Sequence, residues 1–69
     1  MTAMPQPKYN IEVQLSGEDG NAFAILAKVR KALRDGRVAG YEIEAFTDEA
    51  TAGDYDHLLA TVMRWVNVL

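Results

Sequence analysis

A chain of 69 residues with a net charge of −3 and 49% hydrophobic residues has the size of one small domain, in which a single apolar core only just offsets the chain entropy. It contains no cysteine, which excludes a disulfide framework and a thiolate zinc site. No apolar run approaches the roughly 20 residues of a membrane-spanning helix, and the N-terminus lacks the apolar segment of a signal peptide, so we expect a cytoplasmic protein that contacts no membrane.

The first predicted element is a strand. Residues 1 to 7 contain two prolines and no periodicity, and we predict that they form a flexible leader before a single domain of residues 8 to 69. Apolar and polar side chains then alternate through "KYNIEVQL", residues 8 to 15, as they do in a half-buried strand. The apolar face consists of Tyr9, Ile11, Val13 and Leu15.

The next predicted element is a helix from about residue 20 to Asp35. Its apolar side chains recur at spacings of three and four, and its basic side chains face water near the C-terminal end, where the helix dipole favours positive charge. Asp19 is the expected N-cap and Gly36 the expected stop. The apolar stripe consists of Ala22, Ile25, Leu26, Val29 and Leu33.

The second half predicts two further helices and a final strand. "GYEIEAFTDEA", residues 40 to 50, fits both an alternating strand and a helical stripe of Ile43, Phe46 and Ala50, and we favour the helix. Asp54 is a good N-cap for a third helix that begins near Tyr55. The β-branched "WVNVL" at the end is expected to leave that helix and pair with the first strand. The sequence thus predicts a small α+β domain of β-α-α-α-β order, with a short sheet packed on helices.

Several sites are disfavoured by their spacing. Asp54, Asp56 and His57 are metal-ligating types, but Asp54 is expected to serve as a cap and the other two point about 100° apart on a helix. "GEDGN" matches neither a calcium loop nor a phosphate-binding loop and reads as a turn. Ser16 lacks the turn of a nucleophile elbow, and a domain of this size has little room for a cleft. We therefore expect neither an enzyme nor a bound metal or cofactor.

Charge is distributed unevenly along the chain. Five of the seven basic residues lie between Lys28 and Arg37, and the next one is Arg64. Several of the five would share a helix face that can touch phosphates. The acidic remainder would repel a polyanion, so we expect this basic face to be solvated or paired with acids of the second helix, with no direct binding of nucleic acid.

The acidic second half offers the most specific hypothesis. Its six carboxylates span fifteen residues, which as a helix would measure roughly 22 Å. One strand of DNA carries about six phosphates over that length, so the charge density, though not the shape, resembles that of a duplex strand. An ordinary solvated acidic surface remains the alternative. The six residues are Glu42, Glu44, Asp48, Glu49, Asp54 and Asp56.

From Tyr9 to Val68 the chain resembles a group of short proteins carried by bacteriophages and integrative mobile elements. The most specific parts of the resemblance are "GEDGNAF" and "GDYDHLL", whereas "RVAGYEIEAF" departs from the group's more polar pattern. The resemblance implies a prokaryotic, cytoplasmic protein and carries over no catalytic residue. An anti-CRISPR protein of a type I system is identified as a member of the group, which implies an acidic protein that occupies the DNA-binding channel of an effector complex.

The combined hypothesis is a non-catalytic inhibitor that presents these six carboxylates, with Glu18 and Asp19 added to the patch, to the basic DNA-binding groove of a protein complex, such as a CRISPR effector. The inhibitor is expected to be a monomer or a small homo-oligomer. The alternative is a small oligomeric interaction or regulatory module that buries an aromatic patch of Tyr41, Phe46 and Trp65. A third possibility is a nucleic-acid binder that uses the basic helix.

Overall fold

The computed structural model describes residues 7–15 and 21–69. Its elements are β1 (Glu12–Val13), α1 (Ala22–Asp35), α2 (Gly40–Ala50), α3 (Tyr55–Trp65) and β2 (Asn67–Val68). The predicted β-α-α-α-β order is confirmed, and the fold is a small α+β domain. The predicted flexible leader, apart from Pro7, lies outside the described residues. In the part of the chain that the structure describes, no helix is long and apolar enough to cross a membrane.

The sheet consists of two short parallel strands. Glu12 lies opposite Asn67 and Val13 opposite Val68. The predicted strand from residue 8 to 15 is longer than the observed β1, because the chain ahead of β2 is still helical and offers no extended partner. The amides of Lys8 and Tyr9 donate instead to the carbonyls of Arg64 and Trp65, at 2.8 and 2.9 Å. The segment before β1 therefore satisfies carbonyl groups that the last turn of α3 leaves free.

Helix α1 begins slightly later than its sequence predicts. The side chain of Asn21 accepts a hydrogen bond from the amide of Ala24 at 3.1 Å and caps the helix. Asn suits this position because its short side chain reaches the free amides of the first turn. The predicted cap, Asp19, lies outside the described residues.

Helix α1 ends at Asp35 and is followed by Gly36. Gly36 has φ −81°, an ordinary value, and the residue with a left-handed backbone is Arg37, at φ 64°. The amides of Arg37 and Val38 bond to the carbonyls of Arg34 and Leu33, each at 3.0 Å, which is the Schellman arrangement. A Cβ at Gly36 would lie 2.6 Å from Cδ1 of Ile11. The prediction of a stop at Gly36 is confirmed, but the glycine is needed for close packing against the segment before β1 rather than for its φ.

A tight turn joins α2 to α3. Asp54 caps α3 by accepting a hydrogen bond from the amide of His57 at 2.9 Å, as predicted. Nε2 of His57 lies 2.8 Å from the carbonyl oxygen of Glu49 near the end of α2. The His57 ring packs over Gly53, where an added Cβ would lie 2.7 Å from Cγ of the ring. One imidazole thus links the end of one helix to the start of the next.

The core combines one stripe from each helix with parts of the sheet region. The helical stripe predicted for α2 is confirmed, since Ile43, Phe46 and Ala50 are all buried. Thr61 is fully buried and was not expected in the core. Its hydroxyl donates to the carbonyl of His57 at 2.8 Å, which satisfies it. The apolar core residues are Val13, Ile25, Val29, Leu33, Ile43, Phe46, Ala50, Leu58, Val62, Trp65 and Val66.

The exposed aromatic patch expected at Tyr41, Phe46 and Trp65 is wrong. Phe46 and Trp65 belong to the buried faces of α2 and α3, where their rings meet edge to face with centroids 5.5 Å apart. Only Tyr41 is exposed. The oligomeric alternative therefore loses the surface on which it was based.

Candidate functional site

The outer face of α2 carries two exposed carboxylates. Ile43 and Phe46 lie on the side of α2 that faces the core, and Glu44 and Asp48 lie on the opposite side. Because they are four residues apart, they share a face and are separated by about 6 Å along the helix axis. Among the described residues neither carboxylate forms an ion pair. Both carboxylates face the solvent.

Two more carboxylates lie at the start of α3. Asp54 and Asp56 are exposed, and Asp54 also caps the helix through the amide of His57. Acidic side chains are favoured here because the N-terminal end of a helix dipole is positive. Asp54 caps the helix and Asp56 lies in its first turn, and neither carboxylate has a cationic partner within the described part of the chain.

Glu42 faces a different direction and is used inside the fold. Nζ of Lys8 lies 2.6 Å from its carboxylate, and the hydroxyl of Tyr9 donates to it at 2.7 Å. The hydrogen bond from Lys8, followed by that from Tyr9, lowers the pKa of Glu42 below its usual value. In return, the hydrogen bond to Glu42, together with burial, raises the pKa of Tyr9 to about 12. Glu42 therefore fixes the segment before β1 to α2.

Glu49 is also paired within the fold. Nη2 of Arg64 lies 2.7 Å from its carboxylate oxygen, and the hydrogen bond from this guanidinium lowers the pKa of Glu49. The pair connects α2 to the last turn of α3. Of the six acids in the second half, Glu42 and Glu49 thus stabilise the packing of the elements, whereas the other four remain unpaired among the described residues.

The acids do not form one continuous row. α2 ends at Ala50 and α3 starts at Tyr55, so the fifteen-residue span is divided between two helices. Glu18 and Asp19, the other two predicted partner-binding residues, lie outside the described residues. The role of all eight residues in partner binding stays a prediction.

The basic face of α1 is exposed, as expected. Lys31 pairs with Asp35 of its own helix at 2.9 Å, and not with an acid of α2. Arg30 and Arg34 are exposed on the same side and form no ion pair with the described residues. The positive residues of α1 thus leave the acids on the outer face of α2 unneutralised.

An apolar groove lies between the start of α1 and the turn that joins α2 to α3. It has a volume of about 220 Å³, and its walls include Phe23, Leu26, Tyr55 and Leu58. Phe23 is 84% exposed. This groove was not predicted. Its signal in the sequence is Phe23, an aromatic residue on the polar side of α1, away from the apolar stripe.

The groove brings together the two segments on which the resemblance depends. "GEDGNAF" supplies Ala22 and Phe23, and "GDYDHLL" supplies Gly53, Asp54 and Tyr55. These segments are about thirty residues apart in the sequence. The two segments therefore come together only because the helices pack against each other.

No metal centre forms in the described part of the chain. Among those residues no group of three His, Asp or Glu side chains could hold a metal ion. Asp54 is bonded to the amide of His57, and Nε2 of His57 is turned to the carbonyl of Glu49. Both groups therefore have local structural roles.

Comparison of the chain with family models, with curated proteins and with solved structures found no match. The resemblance to mobile-element proteins thus stays a prediction.

Proposed function

We propose that this protein is a non-catalytic inhibitor of a phage or mobile element, which uses its acidic surface to occupy the basic DNA-binding groove of another protein complex. A type I CRISPR effector is the target that the sequence resemblance suggests. The observation that carries the proposal is the set of four exposed carboxylates without ion pairs among the described residues. They are Glu44, Asp48, Asp54 and Asp56.

The contrast with the paired acids supports this assignment. Glu42 and Glu49 already have cationic partners inside the chain, and recruiting them to a partner would require breaking those contacts. The four unpaired acids need no such rearrangement. On α2, the separation of Glu44 and Asp48 of about 6 Å along the helix axis is close to twice the axial spacing of neighbouring phosphates on one DNA strand, which is about 3.4 Å.

Such a surface acts mainly through long-range attraction. A negative surface accelerates encounter with a positive groove, and added salt slows that encounter because it screens the charges. The inhibitor should therefore compete with target DNA for the same groove, with a potency that falls as ionic strength rises.

The test is a competition gel shift. Purified protein is titrated into a type I effector complex before labelled target duplex is added, and the fraction of bound duplex is measured at low and physiological salt. We expect the protein to block DNA binding, and the double variant Glu44→Lys, Asp48→Lys to lose at least tenfold in potency.

The control for net charge is the double variant Glu12→Lys, Asp35→Lys, and a melting curve checks that it stays folded without the exposed Lys31–Asp35 pair. Both of its sites are exposed and lie outside α2 and α3, and its change in net charge equals that of the test variant. Equal losses in the two variants would indicate a nonspecific charge effect. Undisturbed DNA binding across several type I complexes would reject this target.

A further inference from the structure

The groove beside the acidic surface has the apolar lining that a purely electrostatic inhibitor would not need. Phe23 stands at its edge with most of its ring in water, and Leu26 and Leu58 form part of its walls. An aromatic side chain that is 84% exposed gains from burial against a partner, because burying apolar surface is the main favourable term in protein association. Exposed aromatic anchors of this kind often dominate binding energy.

The size of the groove limits what it can hold. Its volume of about 220 Å³ is smaller than the roughly 300 to 1,000 Å³ of typical small-molecule sites. It suits one apolar side chain of a larger molecule better than a whole cofactor or metabolite.

The rim of the groove is negative. Asp54 is the acidic residue of its lining, no basic residue of the described chain lines it, and the C-terminal end of α2 reaches it at Ala50 and Thr51, where the helix dipole is negative. The last turn of α2 contains no basic residue. At the positive N-terminal ends of α1 and α3, the side chains of Asn21 and Asp54 each accept a hydrogen bond from one amide. A cation beside the groove would therefore meet complementary charge.

We propose that the groove receives an apolar side chain that is flanked by Lys or Arg in the partner protein, with Phe23 packed against it and Asp54 facing the flanking cation. This inference rests on the proposed function, since it takes the partner to be the same basic protein. The apolar contact in the groove is not screened by salt. It would let a small acidic surface select one basic groove among many.

The test uses two peptides that differ at one position. The first has four arginines around a central leucine, and the second has glycine in place of the leucine. Each is titrated into the ¹⁵N-labelled protein, and amide chemical shifts report the dissociation constant and the site. We expect the leucine peptide to bind at least tenfold more tightly and to shift the amides of Leu26, Gly53 and Leu58.

Two variants separate the groove from the rest of the surface. Phe23→Ala should abolish the preference for the leucine peptide without unfolding the protein, because the ring is largely exposed. Met63→Ala is the matched control, since Met63 is also an exposed apolar residue but lies on α3 outside the groove lining. It should leave the preference unchanged.

Equal binding of the two peptides, or shifts confined to the outer face of α2, would overturn the inference. A concentration-dependent dimer that Phe23→Ala abolishes in sedimentation would also overturn it, because the occupant would then be a second copy of the chain. If the leucine preference holds but the protein fails to compete with DNA for any effector, the proposed function is wrong and the groove assignment stands. If competition succeeds and Phe23→Ala competes as well as the wild type, the groove inference is wrong and the function stands.

Discussion

Helix α2 carries two kinds of carboxylate that composition cannot distinguish. Glu42 and Glu49 lie seven residues apart on the flank of the helix and are paired with Lys8 and Arg64. Glu44 and Asp48 lie on the outer face and have no cationic partner among the described residues. The first pair joins elements of the fold, whereas the second is free to act on another molecule.

A count of acidic residues therefore overstates the binding surface of this chain. Six carboxylates in fifteen residues match the charge density of a DNA strand, yet two of them are partly neutralised within the fold, and their lowered pKa values are the sign of that use. On α2, stability and binding should therefore respond to different acids.

The largest expected effect is at the turn that positions Glu49 beside Arg64. Gly53→Ala would place a Cβ 2.7 Å from the base of the His57 ring, so the ring must move away from the carbonyl of Glu49. We expect a loss of about 1 to 3 kcal/mol in the free energy of unfolding, as is typical of overpacking, measured by urea denaturation.

Gly40→Ala is the control for that substitution. Gly40 is the first residue of α2, and a Cβ there meets nothing within 4 Å. Its replacement should stabilise the protein by about 0.5 to 1 kcal/mol, because alanine restricts the unfolded chain and favours the helix. Equal destabilisation at both positions would contradict the close contact at Gly53.

The next effect concerns the pKa of Tyr9. In the wild type it should titrate at about 12, since deprotonation would place a phenolate beside the carboxylate of Glu42. In Glu42→Gln the pKa should return towards 10.0, the ordinary value. The ultraviolet absorbance of tyrosinate measures this change, and subtraction of a Tyr9→Phe titration assigns it.

Glu44→Gln is the matched control for Glu42→Gln in the titration of Tyr9. It removes a charge from the same helix but from the outer face, so the Tyr9 titration should be unaltered. A Tyr9 pKa near the ordinary value in the wild type would show that the contact with Glu42 does not persist in solution.

A smaller effect is expected at acid pH. The folded-state pKa values of Glu42 and Glu49 lie below the ordinary 4.5, so their stabilising contribution is fully present above pH 4.5 and is lost as the pH falls through the folded values. For Tyr9 the sign is opposite: its contribution is present below pH 10.0 and is lost as the pH rises towards 12.

Urea denaturation over a pH series tests this assignment. The double variant Glu42→Gln, Glu49→Gln should have a lower stability at neutral pH and a flatter decline below pH 4.5. The double variant Glu44→Gln, Asp48→Asn should follow the wild-type curve. If the decline below pH 4.5 were flatter in Glu44→Gln, Asp48→Asn and unchanged in Glu42→Gln, Glu49→Gln, the outer-face acids and not the paired acids would be the ones that stabilise the fold.

The smallest effect on stability is expected from the substitutions that should most affect binding. Glu44→Lys and Asp48→Lys together should change the free energy of unfolding by no more than about 0.5 kcal/mol, as surface substitutions usually do. Glu49→Lys is the contrasting variant, because it would place two cations together at Arg64 and should lower the melting temperature. A severe loss of stability in the outer-face variant would show that those acids also serve the fold.

Local patterns in the sequence determined the elements of this protein. The return of the C-terminus to the first strand joins distant segments and was inferred from unsatisfied backbone groups, and residues 40 to 50 fitted a strand as well as a helix. The other helices and the caps at Asp54 and Gly36 follow from periodicity and capping chemistry. These are short-range effects, so a single sequence contains them. The fold class was predictable for that reason.

Which side chains meet depends on how the helices pack together. The tertiary structure paired Glu42 with Lys8 and Glu49 with Arg64, buried Phe46 and Trp65 together, and built a groove from Phe23 and Tyr55. Such contacts depend on the angles at which helices pack, which many distant side chains set together. The sequence could therefore identify the acids, but their division into paired and available groups required the packed molecule.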